Sequence, residues 1–168
     1  MNADQTVFFW QSLLDADQNS RYWRAMTLRF VRRERTAKIF LAIVSSATVA
    51  GWGFWREASW VWQGLSILAA LISVALPIFD VPRHVEAMVE LHEKWFQLLT
   101  EYEEIWALRA SITDAETQEK IKKLKGTEVE LAKKSAKLPN DDTDLGTKTY
   151  NDVLRERHLP SPQTGSQK

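Results

Sequence analysis

The chain has no cysteine, only six glycines and five prolines in 168 residues, and no net charge, its 22 basic side chains being matched by 22 acidic ones. Without cysteine there is no disulfide framework, no thiolate nucleophile and no Cys-based metal site. So few chain breakers, set against 45% hydrophobic residues, exclude the frequent turns of a β-sandwich and predict long helices, so the expected class is all-α. Zero net charge removes any global attraction to nucleic acid, and no nucleic-acid partner is expected. Also lacking are a phosphate-cradling glycine loop, a nucleophile elbow and a zincin motif. The chain is therefore not expected to be an enzyme or to carry a cofactor. Its length suits one domain, or one membrane module with an attached helical domain.

Charge is missing in a second, local sense. Residues 39–55 carry none, nor do residues 58–79, and only Arg56 and Glu57 stand between these runs of 17 and 22 residues. At a rise of about 1.5 Å per residue they reach roughly 25 and 33 Å, the scale of a bilayer hydrocarbon core of about 30 Å. The reading is a transmembrane hairpin over 39–79, with spans at about 37–55 and 59–79. Lys38 would snorkel to the interface. Trp52, Trp55, Trp60 and Trp62 bracket the connection, where amphipathic indoles form an interface belt at headgroup level. Within the spans, small residues recur at four-residue spacing, in Ala42, Ser46 and Ala50, in Ala47 and Gly51, and in Ala69 and Ser73. That spacing permits close helix packing. Neither span holds an ionisable side chain, which argues against a proton relay or an ion-coupled transporter.

Orientation follows from the flank. Residues 21–38 carry seven basic side chains against the single acid Glu34, and basic flanks stay on the cytoplasmic side. Both termini are expected in the cytoplasm. Arg29, Arg32, Arg33, Arg35 and Lys38 form the basic flank expected to face lipid headgroups, within an amphipathic basic helix region spanning 1–38.

Beyond Pro82, the residues Met88, Leu91, Trp95, Leu98, Tyr102 and Ile105 alternate steps of three and four, which sets them on one stripe of a long helix. Thr113 and Glu116 form a capping-box pattern, so a second helix should start there and run back antiparallel to about Lys137. The stretch 83–108 has six glutamates against two basic residues, and 120–137 has seven lysines, a complementarity that favours pairing. The spacing predicts a cytoplasmic helical domain over 83–158, closing with a loop at 140–146 and a short helix that puts Tyr150, Val153 and Leu154 on one face. Residues 159–168 are expected to be a disordered tail.

Two clusters invite a metal reading. Asp141, Asp142 and Asp144 lack the alternating ligand order and terminal glutamate of a calcium loop. His84, Glu86, Glu90, His92 and Glu93 lie on one helix, but His84 and His92 are two turns apart, too far to share an ion. A solvated helix face is the better reading, and no metal is expected.

The arrangement resembles the SLATT family, two-span membrane modules of bacterial conflict systems. The resemblance rests on the basic, aromatic lead-in Arg21-Tyr22-Trp23-Arg24, the two spans joined at Arg56-Glu57, the long aromatic-bearing helix from Arg83, and the Pro139 break before a helix with Tyr150. It implies a multi-pass protein of the bacterial inner membrane, an antiviral defence effector. Such a protein would form a homo-oligomer in the lipid bilayer and disrupt or permeabilise it when triggered. The trigger would come from a separate nucleotide-synthesising or SLOG-type sensor protein, or be sensed by the cytoplasmic helices themselves. The alternative is a membrane-anchored helical scaffold that recruits a cytoplasmic partner.

Overall fold

The computed structural model describes residues 3–50, 59–78, 81–139 and 142–159, with the side chains of 45–50, 59–62, 75–78 and 81 excepted. All the regular structure among them is helical: α1 (Ala3–Ala50), α2 (Ser59–Ile78), α3 (Val81–Ala107), α4 (Asp114–Ser135) and α5 (Thr143–Glu156). Among the described residues, no helix is long and apolar enough to cross a membrane. The two uncharged runs are described only in part, since side chains in the first end at Val44 and those in the second cover 63–74. The connection between them at 51–58 lies outside the described residues.

The chain divides into two compact units, Met1–Met26 with Ala87–Lys168, and Thr27–Glu86. The first is a helical bundle, and its membership differs from the expected domain over 83–158. The start of α1 belongs to it, with Phe9, Leu13, Ala16, Ser20 and Trp23 buried at steps of four, three, four and three. That is the period of a helix stripe facing a partner. Residues 1–38 are thus not a region of their own, because α1 contributes one wall of the core.

The partner is α3. Its stripe of Met88, Leu91, Trp95, Leu98, Tyr102 and Ile105 is buried throughout, with Leu99 beside it. Phe9 meets Tyr102 edge-on at 5.0 Å between ring centroids, and Trp10 lies 5.0 Å from Trp106. Further along, His92 Nδ1 donates to the Ser20 carbonyl at 2.9 Å. These pairs run in opposite directions along the two helices, so α1 and α3 are antiparallel. Small Ala16 and Ser20 let the backbones approach, while the aromatic pairs supply apolar area.

The turn into α4 is local chemistry. Thr113 and Glu116 close a reciprocal capping box, which satisfies two orphan N–H groups at the helix start. Leu124 and Leu131 are buried, and Ile121 is half-buried. The Tyr102 hydroxyl donates to Glu128 at 2.6 Å and Lys134 reaches Glu90 at 3.0 Å, so α4 returns antiparallel to α3. Burial, then the bond to the Glu128 carboxylate, push the Tyr102 phenol up from its ordinary value.

Glu90 also holds Lys94 at 2.6 Å. Hydrogen bonds from Lys94 and then Lys134 hold its carboxyl down at about 2, against an ordinary 4.5. Its folded-state value is depressed, so its support for the bundle is complete above pH 4.5 and fades as pH falls toward about 2. The carboxylate is exposed, so the support is small. In acid titration, the melting-temperature gap between the wild type and Glu90→Gln is expected to close over that interval. A gap that stays constant would show that the two lysines do not discriminate the charged form.

The stretch expected as a loop is partly helix. Asp142 caps α5, its side chain accepting from the Leu145 N–H, and Asp144 and Gly146 are already helical. Leu145, Thr149, Val153 and Leu154 are buried, whereas Tyr150 is exposed. Tyr150 therefore leaves the face assigned to it, because the buried stripe runs 145–149–153.

An ion network ties α5 to α1 and α3. The Asp17 carboxylate, only 3% exposed, accepts from Arg21 at 2.6 Å and from Arg157 at 3.0 Å. Arg21 continues to Glu156 at 2.6 Å, and Arg157 to Glu103 at 2.6 Å. A buried carboxylate is tolerable only when its charge and lone pairs are satisfied, and two guanidiniums do that here. The Glu156 and then the Asp17 contacts raise the Arg21 guanidinium above its ordinary value, although burial opposes them.

Candidate functional site: an apolar surface with a basic flank

The unit Thr27–Glu86 contains the rest of α1, α2 and the first turns of α3. Along α1, Thr27, Phe30, Glu34, Ala37 and Leu41 are half-buried and Val44 is buried, a stripe at steps of three and four. On α2, Leu65, Ala69 and Ile72 share one face and are half-buried. Most of the other described side chains of α1 and α2 in this unit are exposed.

That uncovered surface is apolar. Ile67, Leu71 and Val74 fall on the side of α2 opposite Ala69 and are 61–63% exposed, Leu68 on its flank is 46% exposed, and on α1 Ile39 and Ile43 are 50% and 63% exposed. A water-soluble helix has polar residues on its outer face. Here the exposed residues of α2 over 67–74 are aliphatic apart from Ser73. Full burial of each large side chain would contribute about 1.5–3 kcal/mol, a standing drive toward a water-free surrounding.

A basic flank adjoins it. Arg29, Arg32, Arg33, Arg35 and Lys38 are all exposed. Lys38 pairs with Glu34 at 2.6 Å, while Arg32, Arg33 and Arg35 have no ion pair among the described residues. The guanidiniums precede the first exposed isoleucine by between one and two helical turns. This order, cations and then aliphatic surface, matches the polarity gradient from headgroup to acyl chain.

The other residues singled out in the sequence are placed as follows. Ala42 and Ser73 are exposed and Ala69 is half-buried. Ser46, Ala47 and Ala50 belong to α1, but their side chains, like those of Trp60 and Trp62 at the start of α2, lie outside the description. Gly51, Trp52 and Trp55 lie wholly outside it. The stripe from Met88 to Ile105 forms the core of the other unit. Among the described residues, no group of three His, Asp or Glu side chains could hold a metal ion. His92 is not on a solvated face, as its bond to the Ser20 carbonyl turns it toward α1.

Two features went unread in the sequence. The α1 stripe 9–13–16–20–23 was signalled by its spacing, but alanine and serine at two of its five places hide it from a hydrophobicity scan. Of the two partners of Asp17, Arg21 stands at a legible i,i+4 spacing, but Arg157 had no local signal, being 140 residues away. Comparison of the chain with protein-family models, curated proteins and solved structures finds no match.

Proposed function

We propose that the chain is a membrane effector of a bacterial conflict system. In this reading its second unit lies in the inner membrane, both termini are cytoplasmic, and association of several copies disrupts the bilayer when a partner sensor signals. The observation that carries this reading is the exposed aliphatic surface of α2 and α1, next to exposed arginines that have no acidic partner among the described residues. Lipid supplies what that surface lacks in water: acyl chains for Ile67, Leu71 and Ile43, and anionic headgroups for Arg32, Arg33 and Arg35, each worth roughly 1 kcal/mol near a charged membrane surface. The resemblance to the SLATT family supports the effector role. No side-chain chemistry is required, because close approach of small residues brings helices together.

The test uses the full chain with dye-loaded phosphatidylglycerol vesicles at rising protein-to-lipid ratio. The wild type should float with the vesicles and release dye. Ile67→Asp with Leu71→Asp should stay in the aqueous fraction, since each acid at mid-span costs about 2.5–3.5 kcal/mol. Ala47→Leu with Gly51→Leu should still float but release little dye. Wild-type chain that floats without releasing dye at any ratio would favour the scaffold reading, and aspartate variants that float as well as the wild type would end the membrane reading.

A further inference from the structure

A cleft of about 600 Å³ opens in the helical bundle between α1, α3 and the end of α5, a volume in the range of small-molecule sites. Three carboxylates lie on it, those of Asp17, Glu103 and Glu156. All three are engaged: Asp17 by Arg21 and Arg157, Glu103 by Arg157, and Glu156 by Arg21. The cleft's remaining cation is Arg24, exposed and without an ion pair or hydrogen bond among the described residues. It sits one turn beyond Arg21 on α1, where a guanidinium can take an oxyanion by two parallel bonds.

The opposite wall is built for a ring. Phe96 is 56% exposed although it lies beside the core of α3, and its ring is 6.3 Å from that of His92 at a 48° tilt. Buried Leu99 adds an apolar floor. The orientation of His92 is set from behind, because its Nδ1 must carry the proton that it donates to the Ser20 carbonyl at 2.9 Å. In the neutral ring Nε2 is then an acceptor, and it has no hydrogen-bond partner among the described residues.

From these placements we propose that the cleft is a binding site for a small planar ligand carrying one anionic group and a ring-borne N–H donor. The anion pairs with Arg24, the ring lies against Phe96, and the N–H donates to His92 Nε2. The site is lined by residues of the helical bundle alone and stands whether or not the unit Thr27–Glu86 inserts in a bilayer.

The experiment measures binding of 4-aminobenzoate and 4-aminophenyl phosphate to the full chain in detergent by ligand-detected saturation-transfer NMR, with aniline and benzoate as half-ligands. Both complete probes should bind, and both half-ligands should bind at least about tenfold more weakly, the equivalent of one charge-assisted contact. The tighter of the two probes identifies the anion as carboxylate or phosphate ester. Arg24→Gln and Phe96→Ala should each weaken binding about tenfold with helicity and melting unchanged, since both side chains are exposed. His92→Ala should weaken the amino-bearing probes and leave benzoate unaffected. The assignment is overturned if aniline binds as tightly as the complete probes, or if Arg24→Gln and Phe96→Ala bind like the wild type.

Discussion

Replacing Trp23 by alanine is expected to destabilise the helical bundle by about 3–5 kcal/mol, as much as the same change at Trp95. Trp23 is 1% exposed and Trp95 5%, so each truncation removes a large buried indole and leaves a cavity that the helices on either side cannot fully close. The equivalence is the informative part, because Trp23 lies on the segment before the basic flank and Trp95 on the core stripe of α3. It follows that a fragment over 83–158 should be largely unfolded alone. Adding a peptide of residues 1–26 should restore a cooperative thermal transition. Chemical denaturation of the two alanine variants, and circular dichroism of the fragment with and without the peptide, measure these effects. A fragment that melts cooperatively by itself would show that α1 is an accessory to the core. Trp95→Phe should cost far less than Trp95→Ala, since the indole N–H of Trp95 is buried without a hydrogen-bond partner among the described residues and its loss removes an unpaid polar group.

The joint replacement Arg21→Ala with Arg157→Ala is expected to cost about 3–5 kcal/mol, the range for leaving a buried charge without a counter-ion. Either change alone should cost much less. With one arginine removed, the other still holds Asp17, whose carboxylate is 3% exposed. The double variant leaves that carboxylate in a low-dielectric site with neither partner, so the two costs should be strongly non-additive. Adding Asp17→Leu should recover most of the loss, because the penalty lies in the uncompensated charge and not in the absent ion pairs. Urea unfolding of the five chains, the wild type, the two single variants, the double and the triple, measures these costs. Additive single costs with no recovery by Asp17→Leu would mean that the arginine stems, packed as apolar matter, are what matters.

The parts of this fold that could be read in advance are those whose physics is local. The capping box at Thr113 and Glu116 needs only two residues three apart, and both of its bonds are formed. The α3 stripe repeats at helical spacing with large side chains, so its burial follows from its period. Elsewhere the pattern was weaker or misleading. Asp142 and Asp144 resembled a loop because aspartate favours turns, yet the same preference makes Asp142 an N-cap and carries the helix through Asp144. Tyr150 looked like a face residue beside Val153, but a helix that buries Leu145, Thr149 and Val153 turns it outward.

Helix content, the capping of α4, the core stripe of α3 and the segregation of uncharged from charged stretches are all written in neighbouring residues, since a helix answers to interactions within four positions. Which helices share a core is not. The first turns of α1 joined α3 because Ala16 and Ser20 allow close approach while Phe9, Leu13 and Trp23 fill the space between, a match of shapes that no single stretch contains. The pairing of Asp17 with Arg157 and the setting of His92 by Ser20 join residues 140 and 72 positions apart. The cleft beside Arg24 and Phe96 is walled by helices that those long-range contacts hold together, so tertiary packing, through burial and pairing of distant side chains, decided where the proposed ligand site lies.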